Sequence, residues 1–247
     1  MEALLAVPER PALSRFVKAM RHGSLGGGKR LRPFLVVETA SLFGVPLEHS
    51  IQTAAALECV HCYSLVHDDL PAMDDDDLRR GRPTVHKAFD EATAILAGDG
   101  LLTLAFEILS REGTHPSAEV RVRLVQALAV ASGTDGMVGG QVLDIAAETS
   151  KTAMTETDII AIQARKTGAL IRFACEAGAL LGGAGGERRR AVITYAEKLG
   201  LAFQVADDLL DAEGTAEQVG KATGKDAPAG KATFLSLYGK RKARKVL

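Results

Sequence analysis

Ile51-Gln-Thr-Ala-Ala-Ala-Leu-Glu-Cys-Val-His-Cys-Tyr-Ser-Leu-Val-His-Asp-Asp-Leu-Pro-Ala-Met-Asp-Asp-Asp-Asp77 decides how this chain is read. From Ile51 to Val66 the run is apolar around most of a helical circumference, the mark of a helix in the centre of a bundle. It then runs into six aspartates between positions 68 and 77. The C-terminal end of a helix carries partial negative charge, so acids placed there are disfavoured by the dipole and by one another. A positive partner is therefore expected among them. Pro71 lacks an amide donor and is predicted to distort the helix just after Asp69, letting Asp68 and Asp74 converge. Carboxylates that offer only oxygen suit Mg²⁺, which takes one or two protein ligands together with water and phosphate oxygens.

A solvated acidic loop is the commoner fate of a charge run. A second cluster argues against it here: Gly200-Leu-Ala-Phe-Gln-Val-Ala-Asp-Asp-Leu-Leu-Asp211 closes another apolar helix, and the spacing puts Asp207 and Asp211 on one face, a turn apart. Basic residues accompany the acids. They are Gly28-Lys-Arg-Leu-Arg-Pro33, then Arg79, Arg80 and Arg82, then Lys166, then Lys221, Lys225 and Lys231. Arginine forks and lysine point charges are the usual phosphate binders. Each is a weak signal alone; with two acidic helix ends they describe a cavity for polyphosphate groups with apolar helix walls beneath it.

The rest of the chain agrees with a helical bundle. No proline stands between Pro116 and Pro228, which permits long helices there. Helical periodicity places helices at about 10–22, 29–44, 47–70, 88–111, 117–132, 137–148, 155–181, 187–211 and one beginning near 231. No alternation of strands and helices appears. The glycine clusters at 26–28 and 182–186 read as tight connections, and the second lacks the lysine and hydroxyl of a phosphate loop. The 247 residues are expected to form one domain, 1–247.

Thirty basic residues against thirty-one acidic ones, with a pI near 6.6, leave no broad positive field for nucleic acid. The N-terminus carries an early acid and a very short apolar run, unlike a secretory signal, and no charge-free run reaches the length of a membrane span. Cys59, Cys62 and Cys175 are an odd number and define no disulfide framework, so a cytoplasmic location is expected. Cys59 and Cys62 with His61 and His67 suggest zinc, but no second ligand pair stands at a finger-like spacing, and buried structural thiols are the preferred reading.

The motifs Gly-Gly-Lys-Arg-Leu-Arg-Pro at 27–33, Asp-Asp-x4-Asp at 68–74 followed by Asp-Leu-Arg-Arg-Gly at 77–81, Gly-Gln-x2-Asp at 140–144, Lys-Thr-Gly at 166–168 and Phe-Gln-x2-Asp-Asp-x2-Asp at 203–211 resemble those of the trans-prenyl diphosphate synthases, most closely the bacterial farnesyl diphosphate synthases. The resemblance runs from about Met20 to Gly239 and implies an all-α, single-domain bundle of the isoprenoid synthase type with a central cavity. It implies a Mg²⁺-dependent prenyltransferase joining isopentenyl diphosphate to an allylic diphosphate, with Asp68 and Asp74 holding two ions and Asp207 a third. Arg79, Lys166, Lys221 and Lys231 are the implied allylic diphosphate ligands. Lys29, Arg32, His61 and Arg80 match positions for isopentenyl diphosphate, and Thr167 and Gln204 match residues lining the carbocation site. The implied chemistry is ionisation, condensation and proton loss, the released diphosphate taking the proton. A homodimer is also implied.

Tyr63 lies five residues before Asp68, at about 1.5 Å per residue roughly 7 Å below the metal site. The resemblance makes it the floor that limits the product to farnesyl diphosphate, since an aromatic residue at this position marks farnesyl synthases of this type; a core-packing aromatic is the alternative. The chain ends at Gly239-Lys-Arg-Lys-Ala-Arg-Lys-Val-Leu247, where the family usually continues, and begins late, so the termini are expected to be incomplete. The nearest rival reading is a synthase with a geranylgeranyl or longer product. A metal-dependent phosphohydrolase built on His61, His67, Asp68 and His86 is the rival from another class; it leaves the second aspartate cluster and Lys166-Thr167 without a role. A non-catalytic partner subunit is disfavoured by the intact aspartates.

Overall fold

The computed structural model describes residues 1–149 and 154–213. Helices follow one another through the chain: α1 (Pro11–Leu25), α2 (Leu31–Leu42), α3 (Leu47–Asp68), the short α4 (Val85–Ala88), α5 (Glu91–Ser110), α6 (Ala118–Ser132), α7 (Met137–Thr149), α8 (Glu156–Gln163), α9 (Ala169–Leu181) and α10 (Gly186–Glu213). A two-stranded antiparallel hairpin, β1 (Leu78–Arg79) with β2 (Arg82–Pro83), interrupts them. The fold is all-α.

Local sequence explains the helix starts. Pro11 stands at the first position of α1, where its fixed φ suits the helix and its missing amide costs nothing. Asp90 caps α5 by accepting from the Thr93 amide at 2.7 Å, and it also receives Arg15 at 2.7 Å. These bonds hold its carboxyl down at about 2. That cap starts α5 at Glu91, three residues later than the predicted helix over 88–111, and the short α4, which was not predicted, precedes it. Thr155 and Asp158 form a capping box at the start of α8.

The core is where the apolar pattern placed it. Leu57, Cys59, Val60 and Cys62 of α3 are fully buried, and α3 packs against α5, α2, α1 and α9. α9 in turn buries Leu170, Ile171, Phe173 and Ala174 against α2, α6 and α10. Each such Leu or Ile contributes roughly 1.5–3 kcal/mol of transfer free energy. The three cysteines are free, buried thiols. Burial, with help from Glu58, pushes Cys62 up to about 12. Among the described residues no group of three or more His, Cys, Asp or Glu could hold a metal ion by itself. α5 is the one described helix long and apolar enough to cross a membrane; it packs on α3, α1 and α6.

The predicted helix over 155–181 keeps its course but contains a π-helical turn, Ala164–Gly168, between α8 and α9. Such turns widen the backbone locally and re-aim its side chains. α7 presses against this turn at Gly140, where a Cβ would stand 2.3 Å from the backbone nitrogen of Lys166. The helix predicted from about 231 lies outside the described residues.

Candidate active site

α3 ends at Asp68 because Pro71 cannot continue it, and the chain turns back on the helix end. The amide of Asp74 donates to the Asp68 carbonyl at 2.9 Å, and that of Asp76 to the Asp69 carbonyl at 3.2 Å. The backbone of the two acidic segments therefore converges as predicted. The cation expected among them is Arg79, whose Nε donates to Asp69 at 2.6 Å and whose Nη2 lies 3.5 Å from Asp76. Burial nevertheless pushes the Asp69 carboxyl up to about 6, against the pull of Arg79.

Two segments supply cations. The first is the loop before α2, in which Gly27 and Gly28 have φ of 93° and 110° and Arg30 adopts a left-handed conformation at φ 50°. The second is the hairpin, whose two-residue turn Arg80-Gly81 has positive φ at both positions, 55° and 72°, as a type I′ turn requires. A left-handed residue with a Cβ costs roughly 1–2 kcal/mol. Both segments therefore place an arginine where glycine is the easier choice. They are joined directly, since Arg80 donates to the Gly27 carbonyl and its guanidinium lies where a Cβ on Gly28 would sit, 2.5 Å from Cζ.

Between these segments, α3, the π turn and α10 lies a cleft of about 370 Å³. Of the predicted site residues, Lys29, Arg32, His61, Arg79, Arg80, Thr167, Gln204 and Asp207 line it. Glu58, His61 and Leu65 come from one face of α3, and Phe203, Gln204 and Asp207 from one face of α10. Among the described residues, its lining holds five cationic side chains (Lys29, Arg30, Arg32, Arg79, Arg80) against two carboxylates, Glu58 and Asp207. Arg32 is the sharpest feature. Its Nε is buried without a hydrogen-bond partner, and burial lowers its pKa while Glu58 and Asp207 oppose the shift. His61 is held well below the ordinary histidine range by burial and then by Arg32, Arg80, Arg79 and Arg30. A neutral imidazole among arginines, and an unsatisfied guanidinium nitrogen, are what a site for an anion looks like before the anion arrives.

Within the lining, Gln204 donates to the buried Asp208 at 3.0 Å. The remaining predicted residues lie apart from it: Lys166 pairs with Asp144 of α7 at 2.6 Å. Tyr63 is buried in α3, with its ring edge-on to His67 at 5.7 Å. Asp68 and Asp74 stand at the end of α3 and just beyond it. Lys221, Lys225 and Lys231 lie outside the described residues. Of the phosphohydrolase histidines, His61 lines the cleft, whereas His67 is bound to the Ile95 carbonyl at 3.0 Å and His86 faces Thr84 at 3.1 Å.

The sequence motifs include Arg30, Asp69, Phe203 and Asp144 without giving any of them a role of its own, and Glu58 lies outside every motif. A lone acid in the apolar stretch 51–66 was the available signal for Glu58. The position of Asp144 one turn beyond Gly140, in a motif already noted, was the signal for the Lys166 pair.

A fold of packed helices around a cationic cleft with acidic helix ends defines an isoprenyl diphosphate synthase architecture, and comparison with known proteins agrees. The Polyprenyl synthetase family matches residues 14–246. Farnesyl diphosphate synthase of Escherichia coli (strain K12) is 51% identical over 95% of this chain and 82% of its own. The apo crystal structure of an FPP/GFPP synthase from Zymomonas mobilis superimposes with a TM-score of 0.89 at 53% identity, covering 99% of this chain and 81% of that one. A Helicobacter pylori geranyltransferase complexed with magnesium and isoprenyl diphosphate gives a TM-score of 0.85 at 33% identity, over 96% and 78% of the two chains. The chain belongs to the polyprenyl synthetase family and is a prenyltransferase.

Proposed function

We propose that this prenyltransferase condenses isopentenyl diphosphate with dimethylallyl and geranyl diphosphates to give farnesyl diphosphate. The observation that carries this reading is the cleft that gathers eight predicted residues from five parts of the chain, among them Arg32 with its buried, unsatisfied Nε. The match to farnesyl diphosphate synthase over most of both chains supports the product.

Lys29, Arg32, Arg80 and the neutral His61 hold the diphosphate of isopentenyl diphosphate. Asp68, Asp74 and Asp207 are acids of the right kind for Mg²⁺, all-oxygen donors at two helix ends. We assign them three ions in total. These acids would hold Mg²⁺, which when bound would supply charge that offsets the departing diphosphate. Arg79 and Lys166, with Lys221 and Lys231 outside the described residues, add cationic charge on the allylic diphosphate. The allylic C–O bond then breaks with its electron pair leaving on diphosphate. The isopentenyl double bond attacks the allylic carbon, and the cation so formed closes to a new double bond as the adjacent carbon gives its proton to the released diphosphate. Thr167 and the Gln204 side chain, fixed by Asp208, place oxygen dipoles beside the developing positive charge. Leu31, Leu65 and Phe203 supply the apolar part of the lining, which keeps water from the cation.

Incubation with Mg²⁺, labelled isopentenyl diphosphate and each allylic primer, followed by sizing of the products, tests this directly. A fifteen-carbon product is expected. A dominant product of twenty or more carbons establishes the longer-chain reading, which the Zymomonas relative's description as an FPP/GFPP synthase makes worth separating. Phosphate release without chain extension overturns prenyl transfer. We further propose a homodimer, a single domain in which α3 contacts both early and late helices, and a cytoplasmic location consistent with three buried free thiols.

A further inference from the structure

Glu58 is a carboxylate with 3% of its surface exposed, set in an otherwise apolar stretch of α3 and facing the cationic cleft. A buried carboxylate is retained only where it is paired and hydrogen-bonded. Its partner is Arg30, whose Nη1 donates to Glu58 Oε1. The other nitrogen of the same guanidinium donates to the Ser24 carbonyl in the last turn of α1 at 2.7 Å. Arg30 holds this position in a left-handed conformation, at φ 50° and ψ 33°, immediately before α2. Glycine would make that turn without strain, as Gly27 and Gly28 do at positive φ just before it. The arginine is therefore kept for its guanidinium, which ties α3 to α1 across the loop that carries Lys29 and leads into Arg32.

Arg30 and Arg32 consequently differ in what they offer a ligand. Arg30 is engaged by Glu58 and Ser24. Arg32 has its buried Nε open. Both lie in a cleft with Arg79 and Arg80, and Glu58 and Asp207 are the carboxylates among its lining. Without Glu58 the guanidinium groups would repel one another, and the loop would lose its tie to α3.

We propose that Glu58 is a positioning residue for the diphosphate site of Lys29, Arg32, His61 and Arg80, fixing the Gly28–Arg30 segment and the start of α2 through Arg30 before the ligand binds. The inference rests on the assignment of that site to isopentenyl diphosphate. Glu58 touches no reacting atom. It lets the arginines meet an anion already ordered, so binding does not bear the cost of arranging them.

Steady-state kinetics of Glu58→Gln, with isopentenyl and geranyl diphosphates varied separately, test the proposal. The variant keeps the shape and removes the charge. KM for isopentenyl diphosphate should rise about tenfold, with KM for geranyl diphosphate within about twofold and kcat within about threefold of the unaltered enzyme. Arg30→Gln should reproduce this split, and the double variant should be no worse than the worse single one, because both break the same pair. Glu58→Asp should recover part of the loss. Unchanged KM values, equal rises for both substrates, or additive effects in the double variant would overturn it. If Glu58→Gln does not fold, Arg30→Gln, at a side chain one-third exposed, carries the test. If the unaltered protein does not extend a prenyl chain, the functional assignment falls and Glu58 is judged on inorganic diphosphate binding by calorimetry: about tenfold weakening in Glu58→Gln supports the role, and no change refutes it.

Discussion

The cations of the cleft come from the loop before α2 and from the hairpin, whereas the carboxylates predicted to work with them come from the ends of α3 and α10. The two sets are built differently. Arg30 and Arg80 are held by strained backbone and by bonds to carbonyl groups or a buried acid, which leaves Arg32 facing the cleft with an unsatisfied nitrogen. The acids come at helix ends, where the dipole opposes them, and some are tied to partners: Asp69 to Arg79 and Asp208 to Gln204. The cationic set can therefore receive a diphosphate directly. The acidic set would meet a second diphosphate through bound cations. On the proposed function, the cations and the acids serve two anions by two mechanisms, and each mechanism can be broken separately.

The largest effect is expected from the acidic set. Asp68→Ala or Asp207→Ala should lower kcat by roughly a hundredfold or more, because a lost metal contact removes charge stabilisation of the leaving group. Neither residue belongs to the buried core, so the melting temperature should stay within about 2 °C, as is usual for surface substitutions. Chelation of Mg²⁺ should abolish turnover in the unaltered enzyme. Near-normal activity in either variant would end the metal assignment.

Arg80→Lys breaks the other set. It keeps the charge but loses the fork, and KM for isopentenyl diphosphate should rise about tenfold with that for the allylic primer unchanged. The reverse pattern, a weakened primer and unaffected isopentenyl diphosphate, would mean that the two sets have been assigned to the wrong substrates.

Gly140→Ala probes the brace under Lys166 and Thr167. A new Cβ would meet the backbone of Lys166 at 2.3 Å, and backbone cannot swing aside as a side chain does. A loss of about 2 kcal/mol in stability, or roughly 4–8 °C in melting temperature, is expected from overpacking. Scanning calorimetry measures it. An unchanged melting temperature would show that α7 moves freely against the π turn.

Tyr63→Ala should have the smallest effect on rate, within about threefold, and act instead on product length. With geranyl diphosphate as primer, chromatography should show a shift to twenty carbons or more. A fifteen-carbon product at undiminished activity would return Tyr63 to an ordinary core residue, edge-on to His67.

Much of this was legible in the residues. Periodicity placed α3 and α10, and Pro71 with the aspartates located the end of α3, because these signals are local and act within a turn or two of chain. The short α4 and the hairpin were not legible, since Arg80-Gly81 makes a turn whose partner strands are only two residues each. The π turn was also missed: helical spacing before and after it is regular, and it arises where α7 and α10 pack against it.

By itself, the sequence determined the helices, the acidic ends and the inventory of charges that a diphosphate chemistry needs, because each follows from apolar period, proline and charge read along the chain. Tertiary structure decided which of those charges are spent on one another. Arg30 finds Glu58 across 28 positions, Lys166 finds Asp144 across 22, and Arg79 finds Asp69 across 10. No local rule selects among equivalent arginines. Helix packing does, by burying Glu58 beside one guanidinium and leaving the Nε of Arg32 unmatched, so the binding capacity of the cleft is set by what folding leaves unsatisfied.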